Sequence, residues 1–168
     1  MTPLPSALGG IELVAWRVDQ KKYASTWNSG EGTFLEGGRW NAKERRVLYC
    51  SLDPATALIE VAAHKGFNVL DMMPHVLTSL DILPTAHTSI HVVNKIDIPN
   101  ENWMRPGAPS IGQQQFGEEQ LNKYPIIVIP SVVSSYSWNL IIDVEAAKGL
   151  FKLRAQIALA IDTRLSPP

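Results

Sequence analysis

The segment Ile126-Ile127-Val128-Ile129 is apolar at every position and stops at Pro130-Ser131. A strand with no polar alternation reads as fully buried, which commits the chain to a sheet with a substantial core. The 168 residues can supply one. At roughly 150 residues per domain, one domain is expected, able to withdraw roughly 68–70% of its unfolded surface from water.

Further strands are predicted over residues 11–18, 47–51, 75–82, 89–98 and 139–144. A longer one is predicted over 150–161, where Ala, Leu and Gln also favour helix. Asp53-Pro54 opens a helix with a cap residue and a proline at its first position, and Gly66 ends it near residue 65. Leu58, Val61, Ala62 and Lys65 form the stripe of that helix expected to pack on the sheet. A polar helix is predicted over 113–122. Residues 27–41 read as a glycine-rich loop carrying Trp27 and Trp40, and 99–112 as a proline-rich loop with Trp103 and Arg105. These strands do not alternate regularly with helices, so the expected fold is α+β (mixed α/β), a single compact domain over 1–168 with a mixed central sheet.

Composition excludes several classes. Fifteen Lys+Arg against sixteen Asp+Glu leave a net charge of −1, and 45% of residues are hydrophobic. A disordered chain and a general nucleic-acid coater are both inconsistent with that balance. Cys50 is the only cysteine, so an intrachain disulfide and a four-cysteine zinc site are impossible. Histidines 64, 75, 87 and 91 lack the further ligands a metal needs, so no metal is expected. No secretory signal or membrane span is legible, and a soluble, cytoplasmic protein is the expectation.

Three places can carry chemistry. Between Gly37 and Arg46, the cations Arg39, Lys43, Arg45 and Arg46 fall within eight positions beside Trp40. That mixture suits an anionic aromatic ligand, with arginine on a diphosphate and an indole on a ring. A solvated basic turn and a platform for single-stranded nucleic acid fit it as well. Glu60 lies off the apolar stripe of its helix, beside Ala57 and His64, as a cleft carboxylate or a solvated one. Ser131 follows an apolar strand, a place favoured for ligand contacts, or else caps the next turn. No Gly-x-Ser-x-Gly elbow, P-loop, dinucleotide glycine fingerprint or His-Glu-x-x-His is present.

Taken in order, Trp16-Arg17, Gly37-Gly38-Arg39-Trp40-Asn41, Tyr49-Cys50-Ser51, Thr56-Ala57-Leu58-Ile59-Glu60 and Ile129-Pro130-Ser131 resemble the RES family. The ending Asp162-Thr163-Arg164-Leu165 also resembles that family's last signature. The resemblance implies a fold like that of ADP-ribosyltransferase toxins. It also implies a toxin of a toxin–antitoxin pair that degrades NAD+ by glycohydrolysis or phosphorolysis, or that ADP-ribosylates a protein. It carries the family's namesake trio onto Arg39, Glu60 and Ser131 as catalytic residues, with Arg17, Arg39, Trp40, Tyr49 and Ser131 as NAD-binding residues. NAD+ is then the substrate, with no further cofactor required. A helix-turn-helix (Xre-like) antitoxin is the implied partner, with no membrane and no direct nucleic acid. In that chemistry nicotinamide leaves as a neutral molecule, so one carboxylate suffices where a glycosidase uses two.

Overall fold

The computed structural model describes residues 12–160. Seven strands form one sheet: β1 (Leu13–Gln20), β2 (Val47–Ser51), β3 (His75–Ile82), β4 (Ile90–Val92), β5 (Ile126–Pro130), β6 (Trp138–Asp143) and β7 (Phe151–Leu159). Their order is β4-β5-β6-β2-β1-β3-β7. Only β4 and β5 run parallel; the other pairs are antiparallel. The sheet is mixed, as expected. Among the described residues four α-helices accompany it, besides short 3₁₀ turns: α1 (Glu31–Glu36), α2 (Pro54–Lys65), α3 (Phe67–Met72) and α4 (Ile111–Leu121).

The apolar run that opened the sequence reading becomes β5, and all five of its residues are buried. Ile126 and Val128 enter the core on one face, with Leu48, Leu80 and Leu140. Ile127 and Ile129 enter a second core on the other face, with Trp40, Val47 and Ile141. Alternation then sorts every neighbouring strand between the two faces. On β1, Leu13 and Ala15 belong to the first core, while Val18, with Trp16 beside it, packs against α2.

α2 keeps the predicted boundaries because its signals are local. The Asp53 carboxylate accepts from the Thr56 N–H at 2.8 Å and from the Thr56 hydroxyl at 2.6 Å, and Pro54 fills the first turn. The buried arc is wider than the predicted stripe. Ala57 and Ala62 are buried, Leu58 and Val61 partly so, and Lys65 is exposed.

Other expectations need correction. Of the predicted strand 89–98, only Ile90–Val92 pairs into the sheet. Asn94 and Asp97 then satisfy each other's backbone N–H groups around a 3₁₀ turn (Lys95–Asp97), a local arrangement that competes with the ladder. The glycine-rich loop 27–41 contains α1, with Gly30 and Gly37 at positive φ as its two ends. The polar helix begins two residues early because Ser110 and Gln113 form a capping box. α3 was not foreseen. The first strand is shifted to Leu13–Gln20, and the last is a strand, Phe151–Leu159. Residues 11 and 161–165 lie outside the described residues. No helix among the described residues is long and apolar enough to cross a membrane.

Candidate active site

Glu60 lies on the second turn of α2, a helix that leaves β2 after only Leu52 and Asp53. Its half-buried carboxylate is held by two strands from beyond the helix. The Ser131 hydroxyl donates to Oε1 at 2.8 Å, and the Asn139 amide donates to the same oxygen at 2.5 Å. Ser131 follows β5 directly and is 0% exposed. Its Oγ also accepts the Ser134 N–H at 3.0 Å. Asn139 lies opposite Ser51 in the β2–β6 register, and the Ser51 hydroxyl donates to Asn139 Oδ1 at 2.8 Å.

Arg39 projects from a tight turn in which Gly38 bridges to Asn41. The Tyr49 hydroxyl fastens this turn: it accepts the Trp40 N–H at 2.9 Å and donates to Asn41 Oδ1 at 2.8 Å. A Cβ on Gly38 would stand 2.5 Å from that hydroxyl oxygen, so the turn closes only with glycine there. Burial pushes the Tyr49 hydroxyl well above its usual range, against the Trp40 N–H and the Arg39 charge. The guanidinium of Arg39 donates to the carbonyls of Trp103, Arg105 and Gly107, the last at 2.9 Å. Among the described residues no carboxylate bonds it. Burial lowers its pKa below the ordinary arginine value, and the charges of Glu60 and Tyr49 oppose that. Glu60, Arg39 and Tyr49 thus share one electrostatic neighbourhood.

The rest of the expected basic cluster does not join it. Lys43 pairs with Glu36, Arg46 with Glu31 at 2.5 Å, and Arg45 with Glu118 at 2.8 Å and Asp143 at 2.7 Å. Carboxylates from α1, α4 and β6 neutralise these cations one by one, so the local anion site expected from four neighbouring cations shrinks to Arg39.

Three further expectations change. Trp40 is 2% exposed and packs edge-on to Phe116 at 6.2 Å, so its ring is part of the core and cannot stack on a ligand. Arg17 alternates with Trp16 and Val18, which face α2, and so points to the opposite side of the sheet. There it binds Asp19 with Nε and Nη2, at distances down to 2.6 Å. Burial acts to lower its pKa, but the Asp19 carboxylate outweighs it and the value rises. The structure therefore does not bring Arg17 to Glu60. Ser131, expected among the NAD-binding residues, is enclosed and turned toward the Glu60 carboxylate.

Ser51 stands in one of the matching motifs and Asn139 opens a predicted strand, yet sequence reasoning gives neither a role. Each is a polar side chain near the end of a largely apolar strand, much the signal that singled out Ser131. Among the described residues no three His, Cys, Asp or Glu side chains gather as metal ligands would.

Chemically, the arrangement offers one carboxylate with a fixed oxygen, Oε1, and a second, Oε2, that accepts no hydrogen bond among the described residues. A guanidinium free of carboxylate partners accompanies it. Such a pair can stabilise positive charge at one end of a ligand and negative charge at the other.

The chain is similar over most of its length to known proteins. A family model described as RES domain matches residues 14–165. The chain is 28% identical over 158 residues to "Toxin Res" of Photorhabdus laumondii, covering 91% of this chain and 97% of that protein. It is 25% identical over 132 residues to "Prs ADP-ribosylating toxin" of a Sphingobium species, covering 76% and 80%. The crystal structure of the Mycobacterium tuberculosis MbcT–MbcA toxin–antitoxin complex contains a chain of similar fold. The TM-score is 0.61 at 17% identity, over 89% of this chain and 85% of that one. The matched family spans nearly the whole described fold and every residue of the Glu60 cluster: this chain belongs to the RES domain family.

Proposed function

We propose that the chain is a toxin enzyme that consumes NAD+ by cleaving the nicotinamide–ribose bond. The observation that carries this reading is the single carboxylate of Glu60, fixed through Oε1 by Ser131 and Asn139, with the Arg39 charge acting on it. Scission of that bond develops positive charge on the ribose and releases a neutral pyridine, so a carboxylate is needed and an acid is not. Glu60 Oε2 meets the developing charge, or the hydroxyl of the incoming nucleophile. Arg39 exchanges its three carbonyl partners for the diphosphate, a stronger acceptor. Tyr49 holds the turn from which Arg39 projects. Water as nucleophile yields ADP-ribose, nicotinamide and a proton. Phosphate in its place yields a phosphorylated ADP-ribose.

A transferase reading is favoured by one observation, the relative named an ADP-ribosylating toxin; there an acceptor side chain of a protein replaces water. The partner proposed is a helix-turn-helix, Xre-like antitoxin in the same cytoplasm. Support comes from the fold shared with a toxin solved together with its antitoxin.

Incubating the purified chain with NAD+, with and without phosphate, separates the three outcomes by product: ADP-ribose, its phosphorylated form, or a labelled protein. Glu60→Gln is expected to fold normally and to abolish NAD+ loss. Turnover at the wild-type rate in that variant would overturn the assignment.

A further inference from the structure

We infer that Ser51 and Asn139 form a positioning relay, built into the pairing of β2 with β6, that fixes the orientation in which the Glu60 carboxylate presents its free oxygen to the substrate. The inference rests on the NAD+ reading for its kinetic part, and on geometry alone for the rest.

An asparagine amide can present either its oxygen or its nitrogen, and the two ends are set by their partners. Here the Glu60 carboxylate decides, because it only accepts, whereas a serine hydroxyl can donate or accept. The Ser51 hydroxyl donates to Oδ1 at 2.8 Å, in a pair buried on both sides. Ser51 is 2% exposed and Asn139 8%. Nδ2 therefore faces Glu60, where it meets Oε1 at 2.5 Å, and Oδ1 is left to take the Ser51 proton. The Ser131 hydroxyl is oriented in the same way. Its oxygen takes the Ser134 N–H, which leaves its proton for Oε1.

Two donors therefore converge on one carboxylate oxygen, and each is itself oriented by a further hydrogen bond. The carboxylate cannot rotate to exchange its oxygens without breaking both. Oε2 is left as the oxygen offered to a ligand. None of these partners needs to touch substrate; Ser131 is enclosed, and Asn139 and Ser51 lie in the sheet. They are positioning residues, and the register Ser51↔Asn139 makes strand pairing itself part of the orientation.

The consequence is separable from stability. A misplaced carboxylate loses the chemical step more than it loses binding, because a displacement of about 1 Å at a reacting group can cost about 100-fold. Asn139→Ala is expected to lower kcat by about 10- to 100-fold with KM within about twofold. Asn139→Asp keeps the shape but replaces the donor with a second acceptor. Its activity is expected to be low at about pH 8 and to recover toward about pH 5, where the carboxyl pair takes up a proton and the substituted group donates again. The Glu60 charge also acts on Arg39 and Tyr49; an arginine stays charged throughout that range, and burial keeps the Tyr49 hydroxyl neutral in it. Ser51→Ala is expected to lower kcat by about threefold to tenfold, and Ser51→Thr, which keeps the hydroxyl, to restore it.

A thermal double-mutant cycle supplies a readout that needs no activity. The losses in Tm for Asn139→Ala and Glu60→Ala are expected to be non-additive, the double variant losing less than their sum. Additive losses, or a wild-type kcat in Asn139→Ala, would overturn the relay. If the wild-type chain consumes no NAD+ while the losses are non-additive, the NAD+ reading falls and the orientation of Glu60 stands.

Discussion

The α-carbon of Gly117 on α4 lies so close to Trp40 that a Cβ on it would fall 2.0 Å from the Trp40 carbonyl oxygen. That carbonyl belongs to the turn carrying Arg39, and Gly117 is buried within α4. Gly117→Ala is expected to cost about 1–3 kcal/mol, by forcing helix and turn apart. It is also expected to weaken substrate binding through Arg39. Gly32→Ala is the control: nothing lies within 4 Å of its Cβ, and in α1 the change is expected to stabilise by about 0.5 kcal/mol. Thermal or urea unfolding of the two variants side by side checks both signs.

Removing the Ser131 hydroxyl distinguishes an orienting serine from a nucleophile. Ser131→Ala leaves Asn139 on Glu60 Oε1 and is expected to retain measurable turnover, with kcat reduced about 10- to 100-fold. Complete loss in a normally folded variant, together with a trapped covalent adduct in the wild type, would contradict the orienting role.

The two arginines are expected to fail differently. Arg39→Ala raises KM for NAD+ by about 10-fold or more, and Arg39→Lys does not restore it, because a point charge cannot replace a planar fork. Both variants are expected to fold. Arg17→Ala instead strips the cationic partner from Asp19, which is 8% exposed and keeps only the Thr78 hydroxyl, and is expected to destabilise by about 3 kcal/mol. Unfolding curves beside steady-state kinetics resolve the two patterns.

Cys50 is buried in the first core, and burial pushes its thiol up to about 12, with the nearby Arg17 charge opposing and Asp19 reinforcing. A neutral, enclosed thiol is inert. Reaction with a thiol reagent at about pH 8 is expected to be negligible until the chain is unfolded. The sign of the stability effect follows from the raised value. Below the unfolded thiol's pKa of about 8.5 both states hold the proton, and nothing is lost. As pH rises toward the folded value, only the unfolded chain ionises, so stability falls. Burial of Tyr49 acts in the same direction. Cys50→Ala is expected to flatten the alkaline fall measured by urea unfolding between about pH 8 and pH 11.

Much of the fold was legible where its determinants are local. Asp53, Pro54 and Gly66 delimit α2 within its own neighbourhood, and four consecutive apolar residues are enough to mark β5. Glu60 and Ser131 could be singled out because each is polar in an apolar setting. What escaped reading depends on partners far along the chain. Arg45 and Arg46 look like an anion site until Glu118, Asp143 and Glu31 arrive beside them. The face to which Arg17 points follows from its position in β1 relative to α2, and Trp40 is buried only because α4 and β5 close over it. The Ser51–Asn139 pair needs the strand register, which no spacing encodes.

The two donors on Glu60 sit 71 and 79 residues beyond it in the chain. During synthesis, α2 can form early from its own caps, yet its carboxylate has no fixed oxygen until β5 and β6 have emerged and paired. A growing or truncated chain ending before residue 139 carries Arg39 and Glu60 without the geometry between them. The carboxylate is therefore oriented only once residue 139 has emerged and paired with β2, well after α2 itself can form.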